Sequence, residues 1–244
     1  MSYNSEEESY SSVDLNSGNE CLIPYCTIKQ PKITTIMKKL IAILLVSLPL
    51  FTLANSFSSK MSQAMSKYES AQSVKEFVLA SNLFGQISQA HSDQWEPAYY
   101  ESFCLVTAGF DAVEFGEKEG YLNRAEVQID LMLKKWEGNA EIWTLKALYY
   151  SATLMLDMRR AASISPQIEA CTQQALGISP ANPRAKCLKI RNNMGIAQYT
   201  GGDLAPICAD AAEVLSTFGD FKIQTEWSPT WGETLLESIT ANCK

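Results

Sequence analysis

Apolar and polar positions fall into three regimes along this chain. Residues 1–36 are mostly polar, opening on MSYNSEEESYSSVDLNSGNE. Met37-Lys38-Lys39 then leads into Leu40–Ala54, an uncharged run reading LIAILLVSLPLFTLA. From residue 57 onward, apolar residues recur at helical spacing between short polar interruptions. The pattern predicts helices near 58–70, 74–90, 97–115, 121–137, 140–158, 166–177, 183–197, 204–218 and 231–242. Punctuation supports these boundaries. Gly138 closes one helix and Asn139 caps the next. Ser165-Pro166 and Asn182-Pro183 each set a capping side chain before a proline at the first helical position, where its missing N–H is not needed. Asp203 follows Gly201-Gly202 in the same role. Alternating strand patterns and Asn-Gly hairpin turns are absent from the sequence. The expected fold class is all-α.

The run at 40–54 has the basic start, apolar length and small-residue end of a signal peptide. As a helix it would rise about 22 Å, short of the roughly 30 Å hydrocarbon core. Pro49 interrupts it as well, which disfavours the alternative of a membrane anchor with a cytoplasmic tail. Thr52-Leu53-Ala54 and Ala54-Asn55-Ser56 both satisfy the small-residue cleavage rule. With no Cys just after the run, lipid attachment is not expected. Residues 1–36 are too polar to fold alone, and they read as a disordered extension or as sequence upstream of a true start at Met37. The expected organisation is an extension at 1–36, a signal peptide at 37–56, a helical repeat domain at 57–218 and a C-terminal cap at 219–244. The mature protein is expected to be soluble and exported, in the periplasm or beyond.

A triplet recurs on the second helix of each expected hairpin. Ala80, Phe84 and Ile87 match Ala125, Ile129 and Met132. Ala211, Leu215 and Phe218 repeat the pattern, and Ile168, Thr172 and Ala175 do so more weakly. Their starting positions lie 45, 43 and 43 residues apart, a regular period that signals stacked helical hairpins. A small residue lets the helix approach its partner, and the larger ones fill the groove beside it. In one unit Trp143, Ala147 and Tyr150 are followed by Ala175 and Pro180, and here the chain resembles the tetratricopeptide repeat (TPR) family. More narrowly, the MKK start, Trp95–Tyr100, Asn182–Ala185 and Trp227–Gly232 are similar to a group of small exported bacterial TPR-like proteins, a resemblance that implies no particular activity. It implies a right-handed solenoid of about four hairpins. Because these units exceed the family's roughly 34 residues, long turns are expected at 116–120, 159–165 and 198–203. The resemblance also places Glu96, Tyr99, Phe103, Glu141, Thr144, Leu148, Arg184, Cys187 and Arg191 toward a concave groove.

Composition narrows the function. Residues 57–244 carry 16 Lys/Arg against 22 Asp/Glu, a net charge of −6, which argues against a general nucleic-acid or anionic-membrane binder. Five cysteines follow the leader. Cys104, Cys171 and Cys187 fall in apolar helical stretches and read as small core residues. Cys208 and Cys243 are the pair to expect in an oxidising compartment, and the odd number leaves one thiol free or paired between molecules. His91 is the single histidine and lies in a polar loop, so no metal cluster, cofactor or catalytic residue is expected. The reading is a non-catalytic scaffold or adaptor that binds a cell-envelope protein or peptide through Tyr99, Phe103, Thr144, Leu148, Arg184 and Arg191. Tyr and Arg are frequent binding hot spots, and the two arginines suit an acidic segment. The rivals are a small-ligand binder and an accessory subunit of an envelope enzyme using His91. The stretch 219–231, with Pro229 and two tryptophans, is expected to fold over the last hairpin as a terminal cap, with a docking hook as the alternative.

Overall fold

The computed structural model describes residues 57–243, and every regular element among them is helical. The expected extension and signal peptide lie outside the described residues. Helix α1 covers 57–69, followed by α2 (Val74–Ala90), α3 (Glu96–Asp111), α4 (Phe115–Lys135) and α5 (Ala140–Leu156). A 3-10 turn at Met158–Arg160 leads into α6 (Ala161–Ile178), then α7 (Pro183–Thr200) and α8 (Ala205–Ser216). A second 3-10 turn, Phe218–Asp220, precedes α9 (Glu233–Ala241). Among the described residues no helix is long and apolar enough to cross a membrane.

Local chemistry explains most boundaries. Asn139 accepts a hydrogen bond from the Glu141 N–H, and Asn182 accepts from Arg184 and Ala185, with Pro183 at the first helical position. Both caps satisfy amide groups that would otherwise lack a helical partner. Gly201 ends α7 at φ 72°, a conformation that glycine adopts without steric cost.

From α2 onward each helix packs on the next. In addition α3 touches α5, α5 touches α7 and α7 touches α9, so the odd-numbered helices form a continuous row. Burial marks that row as the interior: α3 buries 12 of its 16 residues, whereas α4 buries only four of 21. The repeated triplets supply the inward faces of the outer helices. Ala80, Phe84 and Ile87 are buried, as are Ala125, Ile129 and Met132, and Ile168, Thr172 and Ala175. In the last unit Ala211 and Phe218 are buried while Leu215 is half-buried. Gly109 lets α3 and α4 meet closely, since a Cβ there would lie 2.8 Å from the Leu122 side chain. Ala125 is fully buried on the same helix pair. Ala125→Leu should therefore overpack it and lower stability by about 1–3 kcal/mol, read from the urea midpoint; a neutral result would show that the triplet does not mark the contact face.

The expected long turns are corrected. Residues 116–120 lie inside α4, 161–165 inside α6 and 198–200 inside α7. The extra length of each unit is taken up by longer helices rather than longer connections. Gly116 and Gly120 weaken α4 locally, yet Leu122, Ala125, Ile129 and Met132 anchor it, and tertiary burial outweighs propensity. Pro166 likewise sits inside α6 instead of opening it. Ile164 and Ile168, four residues apart and both buried, hold the helix on its neighbours across the missing N–H. The upstream start is built at Asp157, whose carboxylate accepts from the Arg159 N–H.

Candidate functional site

The inner row carries the residues expected to face a groove, at helical spacing: Glu96, Tyr99 and Phe103 on α3, Glu141, Thr144 and Leu148 on α5, and Arg184, Cys187 and Arg191 on α7. The two asparagine caps fix Glu141 and Arg184 at equivalent positions of successive inner helices, and the two side chains meet. Arg184 donates Nε to Glu141 Oε2 (2.9 Å) and a terminal nitrogen to Oε1 (2.6 Å), while the Asn182 amide donates to Oε1 (2.8 Å). The pair is almost wholly buried. Burial alone would lower the Arg184 pKa, but the hydrogen bonds and charge of Glu141 carry it above its usual value. Tyr99 lies beside this pair, and burial chiefly, with the Glu141 charge second, raises its hydroxyl well above the ordinary range, so it stays protonated.

An open groove was expected here, and this expectation is corrected. The strap 221–232, which carries a turn closed by the Ser228 N–H donating to the Thr225 carbonyl (3.1 Å), runs over the inner row. Trp231 donates its indole N–H to the Tyr99 hydroxyl (2.8 Å) and sets its ring 5.6 Å from that of Phe103. Thr225 donates to Glu96 Oε1 (3.0 Å), and the Phe221 ring lies 5.3 Å from the Arg184 guanidinium carbon. Cys187 donates weakly to the Gly232 carbonyl. Gly232 has φ 115°, and a Cβ there would lie 3.2 Å from Arg184 Cγ, so glycine lets the backbone press onto the arginine. Tyr99, Phe103 and Arg184 lie buried beneath it, and Thr144 and Leu148 are buried as well. The strap reaches back to α3 instead of covering only the last hairpin. A cavity of about 230 Å³ remains beside it, lined by Trp95, Glu141, Asn182, Arg184, Phe221 and Ile223 among others. It is smaller than a usual small-molecule pocket, and the Glu141, Asn182 and Arg184 side chains are committed to one another.

No family model matches the chain, and no curated protein matches it. A solved structure does. The HusA haemophore from Porphyromonas gingivalis superposes with a TM-score of 0.58 at 21% identity, over 77% of this chain and 92% of the haemophore. At that identity the likeness is one of fold.

Arg191 stands apart from the other expected binding residues. It is half-buried, with a terminal nitrogen 3.5 Å from Met155 Sδ and its guanidinium carbon 5.7 Å from the Phe110 ring centre. No carboxylate among the described residues lies within ion-pair distance of it, and burial lowers its pKa. Met155 and Met158 are more than half exposed, as are Val113 in the connection after α3 and Phe115 at the start of α4. The run Arg184, Lys186, Lys189, Arg191 thus does not act as one patch, because Arg184 pairs with Glu141 and Lys189 with Glu169. His91 closes α2 with its ring 5.0 Å from that of Phe57, edge to face. It is not among the residues that the strap or the buried ion pair touches. Sequence reasoning missed the Glu141–Arg184 pair, although both residues stand two positions after an asparagine cap. It also missed Trp231 as the occupant of the groove; a tryptophan-rich segment after the last hairpin was the available signal.

Proposed function

We propose that this protein is an exported, non-catalytic binding protein, a TPR-like solenoid whose concave face receives a polypeptide segment. The supporting observation is the strap. Tyr99, Phe103 and Arg184, the residues on which a partner would dock, hold a non-helical segment of the chain itself through a hydrogen bond and ring contacts. An aromatic residue seated among aromatic and arginine side chains is a typical interface anchor. Arg191, half-exposed and without a carboxylate among the described residues, gives an acidic partner its first charged contact beside the strap. Export rests on the leader-like run at 40–54.

Affinity capture from the native envelope with residues 57–244 as bait tests this reading. Arg191→Glu should reduce recovery of the partner at least tenfold, a loss of about 1.4 kcal/mol or more, with helicity and thermal midpoint unchanged. Equal recovery by both baits would remove Arg191 from the interface, and no recovery by either would count against a protein partner.

A second reading, a small-ligand carrier, draws on the shared fold with a haemophore. Haem has an apolar body and carboxylates, which suit the exposed Met155 and the unpaired Arg191. Titration of the mature protein with haemin, followed by absorbance, distinguishes the two. A saturable spectral shift lost in Met155→Ala and Arg191→Glu would favour the carrier, and an unchanged spectrum would remove it.

A further inference from the structure

Three features of the strap set it apart from an ordinary terminal cap. A cap needs only to cover the apolar face left by the last repeat. Here Phe218 on one side of the strap, and Leu236 and Ile239 on the other, already pack with Ala211 and Val214 as a separate small core. Two of the strap's hydrogen bonds instead reach Glu96 and Tyr99, on α3, at sequence separations of 129 and 132 residues. Moreover, 221–232 has no helix or strand, and its first half, 222–226, is exposed, whereas Ser228 and Pro229 beyond it are buried. Both ends are secured independently of the groove: Phe218 lies in the small core, and α9 packs on α8 with Cys243 bonded to Cys208. The segment between is thus tied down at both ends outside the groove.

We propose that the strap is a displaceable self-ligand, and that the partner of this groove is a polypeptide of the same chemistry. Such a partner is a segment with tryptophan immediately before glycine and a hydroxyl donor six residues earlier, the two separated by a turn like that at 225–228 of the strap. The contacts define each requirement. Tyr99 faces an indole N–H, with the ring received by Phe103. The glycine is needed where the backbone crosses Arg184. The Glu96 carboxylate accepts a hydroxyl, and its other oxygen is buried with no hydrogen-bond partner among the described residues, so a partner offering a second donor there would gain over the strap. A tethered segment faces its site at an effective concentration on the order of millimolar. The partner therefore competes only by making more contacts, and Arg191, which the strap leaves uncovered, offers one. This inference rests on the peptide-binding reading above.

The test uses a fluorescein-labelled peptide of residues 221–232 and the mature protein with Phe221→Ala and Trp231→Ala together, its fold checked by circular dichroism. Anisotropy should show the peptide binding this variant at least tenfold more tightly than wild type, whose strap is intact. A peptide carrying alanine for tryptophan at the position before glycine should lose at least tenfold, and adding Tyr99→Phe to the protein should weaken binding several-fold. Trp231→Phe, which keeps the ring and removes only the indole N–H, carries the same comparisons if the double variant does not fold. Absence of binding to the folded variant, or equal binding of the alanine peptide, would overturn the proposal. If that happens while envelope capture still depends on Arg191, the peptide-binding reading survives and only the partner chemistry assigned here falls. If both fail, both are wrong.

Discussion

Glu141→Ala should destabilise the protein by about 3–5 kcal/mol, the range for removing one member of a buried ion pair. The Arg184 side chain is 3% exposed, and its hydrogen bonds to a carboxylate go to Glu141 alone. Without that carboxylate the guanidinium keeps its charge, because arginine does not deprotonate in proteins, and it is left without a counter-ion. The Asn182 amide loses its acceptor as well. Urea unfolding followed by circular dichroism should give a lower midpoint with an unchanged slope. Glu141→Gln should cost less, since an amide oxygen still accepts one bond. The double replacement Glu141→Leu with Arg184→Leu should cost less than the sum of the single changes, because it leaves no buried charge behind. A single-mutant loss under about 1 kcal/mol, the typical ceiling for an exposed pair, would mean that the pair is hydrated and does not hold α5 to α7.

That pair also shows which parts of this molecule a sequence can disclose. Asn139 and Asn182 were legible as caps because their work is done within three residues of themselves. The triplets at Ala80, Ala125, Ile168 and Ala211 were legible because a packing face must repeat when units stack. Residues 116–120 and Pro166 were misread for the complementary reason. Glycine and proline announce a break locally, while the burial that overrides them comes from neighbouring helices. The residues expected to line a groove lie on α3, α5 and α7, but their state was not visible in the sequence. Whether Tyr99 faces solvent or Trp231 depends on a contact spanning 132 residues, and no local pattern encodes it. The likeness to a haemophore fold has a similar limit, since a row of helices fixes where a groove runs and not what fills it.

Replacing Cys208 and Cys243 together by alanine should lower stability by about 3–4 kcal/mol, the loop-closure value for a bridge of this span. The two sulfurs are bonded across 35 residues that include the whole strap and all of α9. For a domain of this size the melting temperature should fall by very roughly 6–16 °C. The loss should also be uneven. Helix α9 has nine residues, too few to persist without packing, and Leu236 and Ile239 are its buried contacts. Opening at this end should precede opening of α3 and α5, so amide exchange should accelerate first in 219–243. The remaining thiols serve as an internal control. Cys104, Cys171 and Cys187 are buried, and burial pushes the Cys171 pKa to about 11, that of Cys187 to about 12 and that of Cys104 well above the usual range. Thiolate is the reactive form, so alkylation of the reduced native protein at pH 8 should label Cys208 and Cys243 and spare the other three. Uniform exchange along the chain after reduction, or a melting temperature that does not move, would mean that the bridge is incidental. The strap would then owe its place over Tyr99 to the groove contacts alone.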